Sequence, residues 1–272
     1  MSKIFPPLND FLINNKNKEN QVLWSTIKSD LDTPVSTYLK LCQNKNNTFL
    51  LESVQDGTYR GRYSIVGMDP DLIWKCDKGK SYIKKKDKNG FKFIKEQNNP
   101  LTNLKNLVNE SKIKIPKILP PMSAGLIGYL GYETIELYEK MPLRKNKKIL
   151  IPDGFFIRPS MMAIFDNIKN EIIIISSYWY KKNNDCKKDF ITISNKIKKL
   201  IKTILYKPLN YNSFSLKNNI KKPISNMKKN VFFEAVKKAK KYIFEGDIFQ
   251  VVISQRFKTK FSLPPFELYR SL

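Results

Sequence analysis

Hydrophobic and polar positions change their period along this chain often enough to outline most of its elements. Around Thr33-Pro34-Val35 the apolar residues Tyr38, Leu39 and Leu41 recur at helical spacing, and Pro34 suits a first turn, so a short helix is predicted there. Phe49 to Gly67 (FLLESVQDGTYRGRYSIVG) reads as two apolar strands around the turn Gln55-Asp56-Gly57-Thr58. DLIWKC and a second hairpin follow, with Lys88-Asn89-Gly90 as its tight turn. Pro100 to Glu110 is helical in period, and Ile115 to Pro121 is a proline-rich connection. Gly125, Gly128 and Gly131 then crowd a strand that must need close backbone approach or a bulge. After helical spacing at Ile135 and Tyr138, FFIRPSMMAIFDN and NEIIIISSYWY read as strands joined by a turn that opens at Asp166-Asn167.

Lys181 to Asn230 is mostly Lys, Asn and Ser around a weak helix at Phe190 to Tyr206, and it reads as a connector. Past a boundary near Lys222-Pro223 the patterning sharpens. Asn230 suits an N-cap, one helix face carries Val231, Phe232, Ala235, Val236, Ala239, Tyr242 and Ile243, and Gly246 stops the helix. IFQVVISQRF then alternates as a strand. Phe249, Val251, Ile253, Gln255 and Phe257 fall on a core face, whereas Ile248, Gln250, Val252, Ser254 and Arg256 fall on a face for solvent or ligand. LPPFELYRSL opens a last helix too short to hold itself together before Leu272, so the chain is expected to be C-terminally truncated.

A chain of 272 residues with 41% hydrophobic content is long enough for one large core or two smaller ones. The net charge of +26 invites a polyanion, but the lysines lie from end to end beside Asn and Ile, and Arg, the better reader of phosphate, is scarce. The charge therefore reads as codon usage and solubility, with no nucleic-acid partner. The absence of histidine removes Ser-His-Asp and Cys-His nucleophiles and His-liganded zinc. Cys42, Cys76 and Cys186 are too scattered for a disulfide framework or zinc knuckle and read as buried or neutral thiols. With no apolar leader and no run able to cross a bilayer, a cytoplasmic protein without a membrane partner is expected.

Four segments, LLESVQDGTYRGRYSIVG, GLIGYLGYE, AKKYIFEGDIFQVVISQRF and PPFELYRSL, resemble in that order the N-terminal half of the large subunit (component I) of anthranilate synthase. That family belongs to the chorismate-utilising enzymes, and the likeness runs from Leu31 onward. It implies removal of the hydroxyl of chorismate, addition of ammonia from a glutamine amidotransferase small subunit, and elimination of pyruvate. Mg²⁺ would hold the substrate carboxylate, and L-tryptophan would inhibit from a separate pocket. In the family the serine of the Leu-Leu-Glu-Ser motif, here Ser53, contacts that tryptophan. An amino acid needs acceptors for its ammonium and an apolar cleft for its indole, and Glu52 and Ser53 beside Leu50 and Leu51 offer both. The same residues also suit exposed strand-end positions satisfying a turn.

Gln250 is expected to line the chorismate side. Isochorismate-type relatives carry lysine there, which can deprotonate water; an amide cannot, and ammonia does not require it. The resemblance puts the metal ligands, the chorismate-gripping groups and the remaining tryptophan contacts beyond Leu272, so no metal site is expected in this chain, which by itself should be inactive. The expected architecture is α+β, with antiparallel sheets packed face to face and helices outside. Residues 1–222 would be the tryptophan-binding regulatory region and 223–272 the incomplete start of the chorismate-binding domain. The alternatives are an aminodeoxychorismate synthase large subunit and a stand-alone amino-acid-binding module.

Overall fold

The chain enters its fold through helix α1 (Leu8–Lys16), strand β1 (Gln21–Lys28) and helix α2 (Pro34–Cys42). Thr33 and Ser36 cap α2 reciprocally. Thr33 Oγ1 accepts the Ser36 N–H at 3.1 Å and Ser36 Oγ accepts the Thr33 N–H at 2.9 Å, with Pro34 supplying a first-turn φ. The computed structural model describes residues 3–55, 59–85, 92–139, 151–209, 211 and 222–272. The turns at Asp56-Gly57-Thr58 and Lys88-Asn89-Gly90 lie outside the described residues. Two compact units divide between Leu209 and Asn210.

In the first unit, strands β2 (Phe49–Gln55), β3 (Tyr59–Asp77), β4 (Lys80–Lys85) and β5 (Ile94–Lys95) precede helix α3 (Pro100–Glu110). Strands β6 (Ile127–Leu130), β7 (Gly154–Asp166) and β8 (Glu171–Tyr178) and helix α4 (Cys186–Tyr206) complete it. The long strands β3 and β7 pair antiparallel from Tyr63↔Asp166 to Cys76↔Gly154. Each serves two half-sheets, β2-β3-β7-β8-β1 and β5-β4-β3-β7-β6, so the antiparallel layers are halves of one curled sheet. The α+β class expected from the sequence is the observed one. GRYSIVG and DLIWKC, read separately in the sequence, are one strand. Asp69 takes a φ of +50° and the register slips between Pro70 and Leu72, which bends β3 without taking it off β7.

Alternation along the central strands makes two apolar faces. Leu23, Val66, Met68, Ala163, Phe165, Ile172 and Ile174 meet Phe11 of α1, Leu41 of α2, and Ile197, Ile201 and Ile204 of α4. The opposite face carries Val22, Ile65, Met162, Ile164, Ile173 and Ile175 under Ile113, Ile115 and Leu119. Ile172 to Ile175 is thus buried on both sides, which is why that stretch is continuously apolar. The stretch read as a connector contains α4, a core helix. Its Lys and Asn residues occupy the outer face, and the few apolar side chains at helical spacing do the packing. Among the glycines of the crowded segment, Gly128 has a specific reason, since a Cβ there would stand 1.9 Å from the Phe155 carbonyl oxygen on the neighbouring strand.

The second unit holds the two-stranded ribbon β9 (Ile224–Ser225) and β10 (Phe257–Lys258), helix α5 (Lys229–Phe244) and helix α6 (Pro265–Ser271). Gly246, at φ +80°, ends α5 as read. Its N–H bonds to the Ile243 carbonyl at 3.2 Å and the Asp247 N–H to the Tyr242 carbonyl at 3.0 Å. Three expectations are corrected. The N-cap is Lys228, so Asn230 falls inside the first turn. Of IFQVVISQRF only Phe257 is in a strand, because a ladder needs a neighbour and the described ribbon reaches only Ile224 and Ser225. No α5 residue is buried, and Phe249 is 94% exposed. Every buried apolar side chain among the described residues belongs to the first unit. Among the described residues no helix is long and apolar enough to cross a membrane.

Ile174→Ala, which removes a side chain with no exposure at the helix–sheet interface, is expected to lower unfolding free energy by about 2–5 kcal/mol in urea titrations. Ile168→Ala, at a residue 71% exposed, should stay within about 0.5 kcal/mol.

Candidate functional site

The site candidates of the first unit are consecutive on β2, whose described ladder runs along β3 alone. Leu51 pairs with Ile65 and Glu52 with Ser64, but the next pair is Val54↔Arg60. Ser53 therefore stands opposite three residues, Gly61, Arg62 and Tyr63, which form a bulge in β3. Strand alternation puts Leu51 and Ser53 on the face of Phe49, whereas Glu52 shares the helix-covered side with Leu50. The carboxylate and hydroxyl that adjoin in sequence thus lie on opposite faces of β2. All three side chains are exposed, Leu51 at 47% despite being apolar.

Where β3 leaves β2 it is held from the other side. Arg62 Nε donates to Asp166 Oδ1 at 3.3 Å and Nη2 to Oδ2 at 3.0 Å, a two-pronged pairing that arginine's planar fork allows. The Asn167 N–H donates to the Arg62 carbonyl at 2.8 Å, one residue beyond the β3–β7 ladder. Asp166 is 2% exposed and also turns the chain into β8, accepting the Ile168 and Lys169 N–H groups at 3.1 and 3.3 Å. Burial alone would raise its pKa. The hydrogen bonds from Arg62 and the two backbone amides, with the guanidinium charge, more than offset that and hold the carboxyl below its ordinary 3.8.

Midway along the β3–β7 pair, at the register slip, the polarity is reversed. Asp71, the residue skipped by the register slip, is chelated by Arg158 of β7 at 2.8 and 2.9 Å. Arg158 also donates to Ser111 Oγ at 3.2 Å and stacks 3.9 Å from the Trp179 ring. The sequence reading missed Arg62 and Arg158. Their signal was scarcity: arginine persisting in a lysine-rich chain marks positions that need a bidentate donor.

Gln250 lies in the second unit, exposed, in the irregular stretch between α5 and β10. Among the described residues the stretch is fastened near its end. Ser225 Oγ donates to Gln255 Oε1 at 2.8 Å, the Arg256 N–H to Asn226 Oδ1 at 2.8 Å, and the Asn226 N–H to the Arg256 carbonyl at 2.9 Å. A shallow groove of about 310 Å³ along α5, lined by Phe233, Val236 and Lys237, does not include Gln250. Among the described residues no three Asp, Glu, His or Cys side chains are placed to hold a metal ion. Cys42 and Cys76 are buried, and burial pushes the Cys42 thiol up to about 12, against the lowering influence of Lys45.

A family model described as chorismate binding enzyme matches residues 47–272. Anthranilate synthase component 1 of Cereibacter sphaeroides is 39% identical over 93% of this chain and 51% of its own length. That of Acetivibrio thermocellus is 31% identical over 98% of this chain and 54% of its own. A crystal structure of anthranilate synthase component I from Streptococcus pneumoniae aligns with a TM-score of 0.59 at 25% identity, covering 90% of this chain and 51% of that one. The chain spans about half the length of the relatives it matches.

Asp166→Asn keeps the shape of the turn and removes the charge. A carboxyl held low in the folded state contributes its stability above the ordinary value of 3.8 and loses it as pH falls through the lower, folded-state value. The urea-midpoint gap between wild type and Asp166→Asn should be constant near neutrality and shrink below that ordinary value. A gap unchanged by acid would contradict the pairing.

Proposed function

The chain belongs to the chorismate-binding enzymes, in the branch of anthranilate synthase component 1, and from that premise we propose that it contributes to the conversion of chorismate and ammonia to anthranilate and pyruvate. The observation that carries the reading is a likeness to named anthranilate synthases along nearly the entire chain. Gln250 supports the ammonia-using branch over the water-using one, since its amide has no basic form with which to activate water, and ammonia is already a nucleophile. In this reading a glutamine amidotransferase partner delivers the ammonia, and L-tryptophan restrains the enzyme through Ser53 and the exposed apolar Leu51 beside it. Glu52, on the other face of β2, takes no direct part in the tryptophan pocket.

The chain alone is proposed to leave chorismate unconverted. The support for this is the Gln250 stretch, which among the described residues has no ladder along most of its length. Mg²⁺, when bound in the assembled enzyme, would neutralise substrate carboxylate. A second reading, an amino-acid-binding module, is favoured by the first unit holding all the buried apolar side chains described.

Incubation of the chain with chorismate, Mg²⁺ and ammonium is expected to give no anthranilate fluorescence, and product above background would overturn the inactivity. Calorimetric titration with L-tryptophan separates the second reading. Measurable heat in wild type that Ser53→Ala weakens by about tenfold, the scale of a lost hydrogen bond to a charged ligand, supports the effector contact; equal affinity in both contradicts it.

A further inference from the structure

Gly61 is buried beneath Ser53. A Cβ built on it would lie 2.3 Å from Ser53 Oγ, 2.4 Å from Ser53 Cβ and 3.0 Å from the Ser53 carbonyl oxygen. The serine side chain thus fills the space that any other residue at position 61 would need. Rotation about χ1 would move Oγ but leave Cβ in place, so an alanine at 61 must displace β2 itself.

Gly61 is also fixed from below. Its carbonyl lies in the bulge, outside the β2 ladder, and accepts Asn167 Nδ2 at 2.7 Å. The next carbonyl, that of Arg62, accepts the Asn167 N–H at 2.8 Å, and the Arg62 side chain chelates Asp166. Asn167 therefore satisfies two consecutive carbonyls of β3, that of Arg62 with its main chain, continuing the β3–β7 pattern, and that of Gly61 with its side-chain amide. The floor under Ser53 is built by a turn 106 residues further along the chain.

We propose that Gly61, held by Asn167, is the positioning residue for the Ser53 hydroxyl and so sets the affinity of the effector contact. The proposal rests on the reading of Ser53 given above. A lone serine on an edge strand would sample several rotamers and lose that freedom on binding. Packing against Gly61 fixes it beforehand, so a ligand meets an oriented hydroxyl. Gly61 and Asn167 touch no ligand in this scheme; they act through Ser53.

The experiment uses the full 272-residue chain in two measurements. Three-bond couplings report Ser53 χ1, and calorimetry reports L-tryptophan affinity. Wild type is expected to show a single Ser53 rotamer. Asn167→Ala, which adds no clash, and Gly61→Ala should both average or switch it, and each should weaken L-tryptophan by about tenfold. In a Ser53→Gly background, where Oγ and Cβ are gone, Gly61→Ala should weaken binding no further. The proposal is overturned if Ser53 keeps one rotamer in both single variants, or if Gly61→Ala weakens binding as much without Ser53 as with it. Should Gly61→Ala fail to fold by circular dichroism, Asn167→Ala decides. Wild type taking up no L-tryptophan would end the effector reading of Ser53, while the couplings still decide whether Gly61 positions it.

Discussion

Two arginine–aspartate pairs fasten β3 to β7, and the larger unit takes its shape from where they sit. Arg62 on β3 grips Asp166 on β7 at one end; Asp71 on β3 is gripped by Arg158 on β7 midway along the pairing. Each pair marks a place where β3 departs from a regular ladder. At Asp71 the slip lets both long strands turn from one half-sheet into the other, and at Gly61 to Tyr63 the bulge releases β3 from β2. Irregular backbone in a sheet leaves carbonyls and amides to be satisfied elsewhere, and a bidentate ion pair with adjoining hydrogen bonds fixes which departure is adopted. Since both pairs are partly shielded by the sheet, they are screened less than the lysine-based surface pairs around them.

This frame ties the β2 edge to the interior. Ser53 is exposed, yet its environment is set by Gly61, which Asn167 holds from the β7–β8 turn beside the fully paired strands. A hydroxyl on such a strand is held more precisely when the strand behind it cannot move, and here the strand behind is bonded to the most buried part of the sheet. The second unit has the opposite character. None of its described apolar residues is buried, Phe244 and Val252 are exposed, and among the described residues its short ribbon fastens one end of the segment carrying Gln250.

Much of the fold was legible in the sequence where a single residue type has a local physical consequence. Pro34 after Thr33, Pro100 after Asn99 and Gly246 after α5 mark helix ends because capping involves only the nearest turn. Gly128 announced close strand approach for the same reason. The illegible parts depend on distant partners. α4 looked like a connector because lysine and asparagine outnumber its core positions, and only the sheet it covers reveals Ile197, Ile201 and Ile204 as an interior face. Alternation in IFQVVISQRF is real as a pattern, but a strand also requires a neighbour, and the described ribbon supplies one only at its end. In the candidate site, Ser53 could be found by family likeness, whereas Gly61 and Asn167 could not. Asp166-Asn167 reads correctly as a turn, and nothing local says that its amide reaches Gly61.

If β7 fastens the bulge under Ser53, the bond from the Asn167 N–H to the Arg62 carbonyl must open only when the sheet does. Native-state hydrogen exchange on the assigned amides measures this directly. Asn167 is expected to exchange with the same free energy as the β3–β7 ladder amides such as Val66 and Ala163. Exchange of Asn167 at the rate of exposed loop amides, with Val66 and Ala163 still protected, would contradict it.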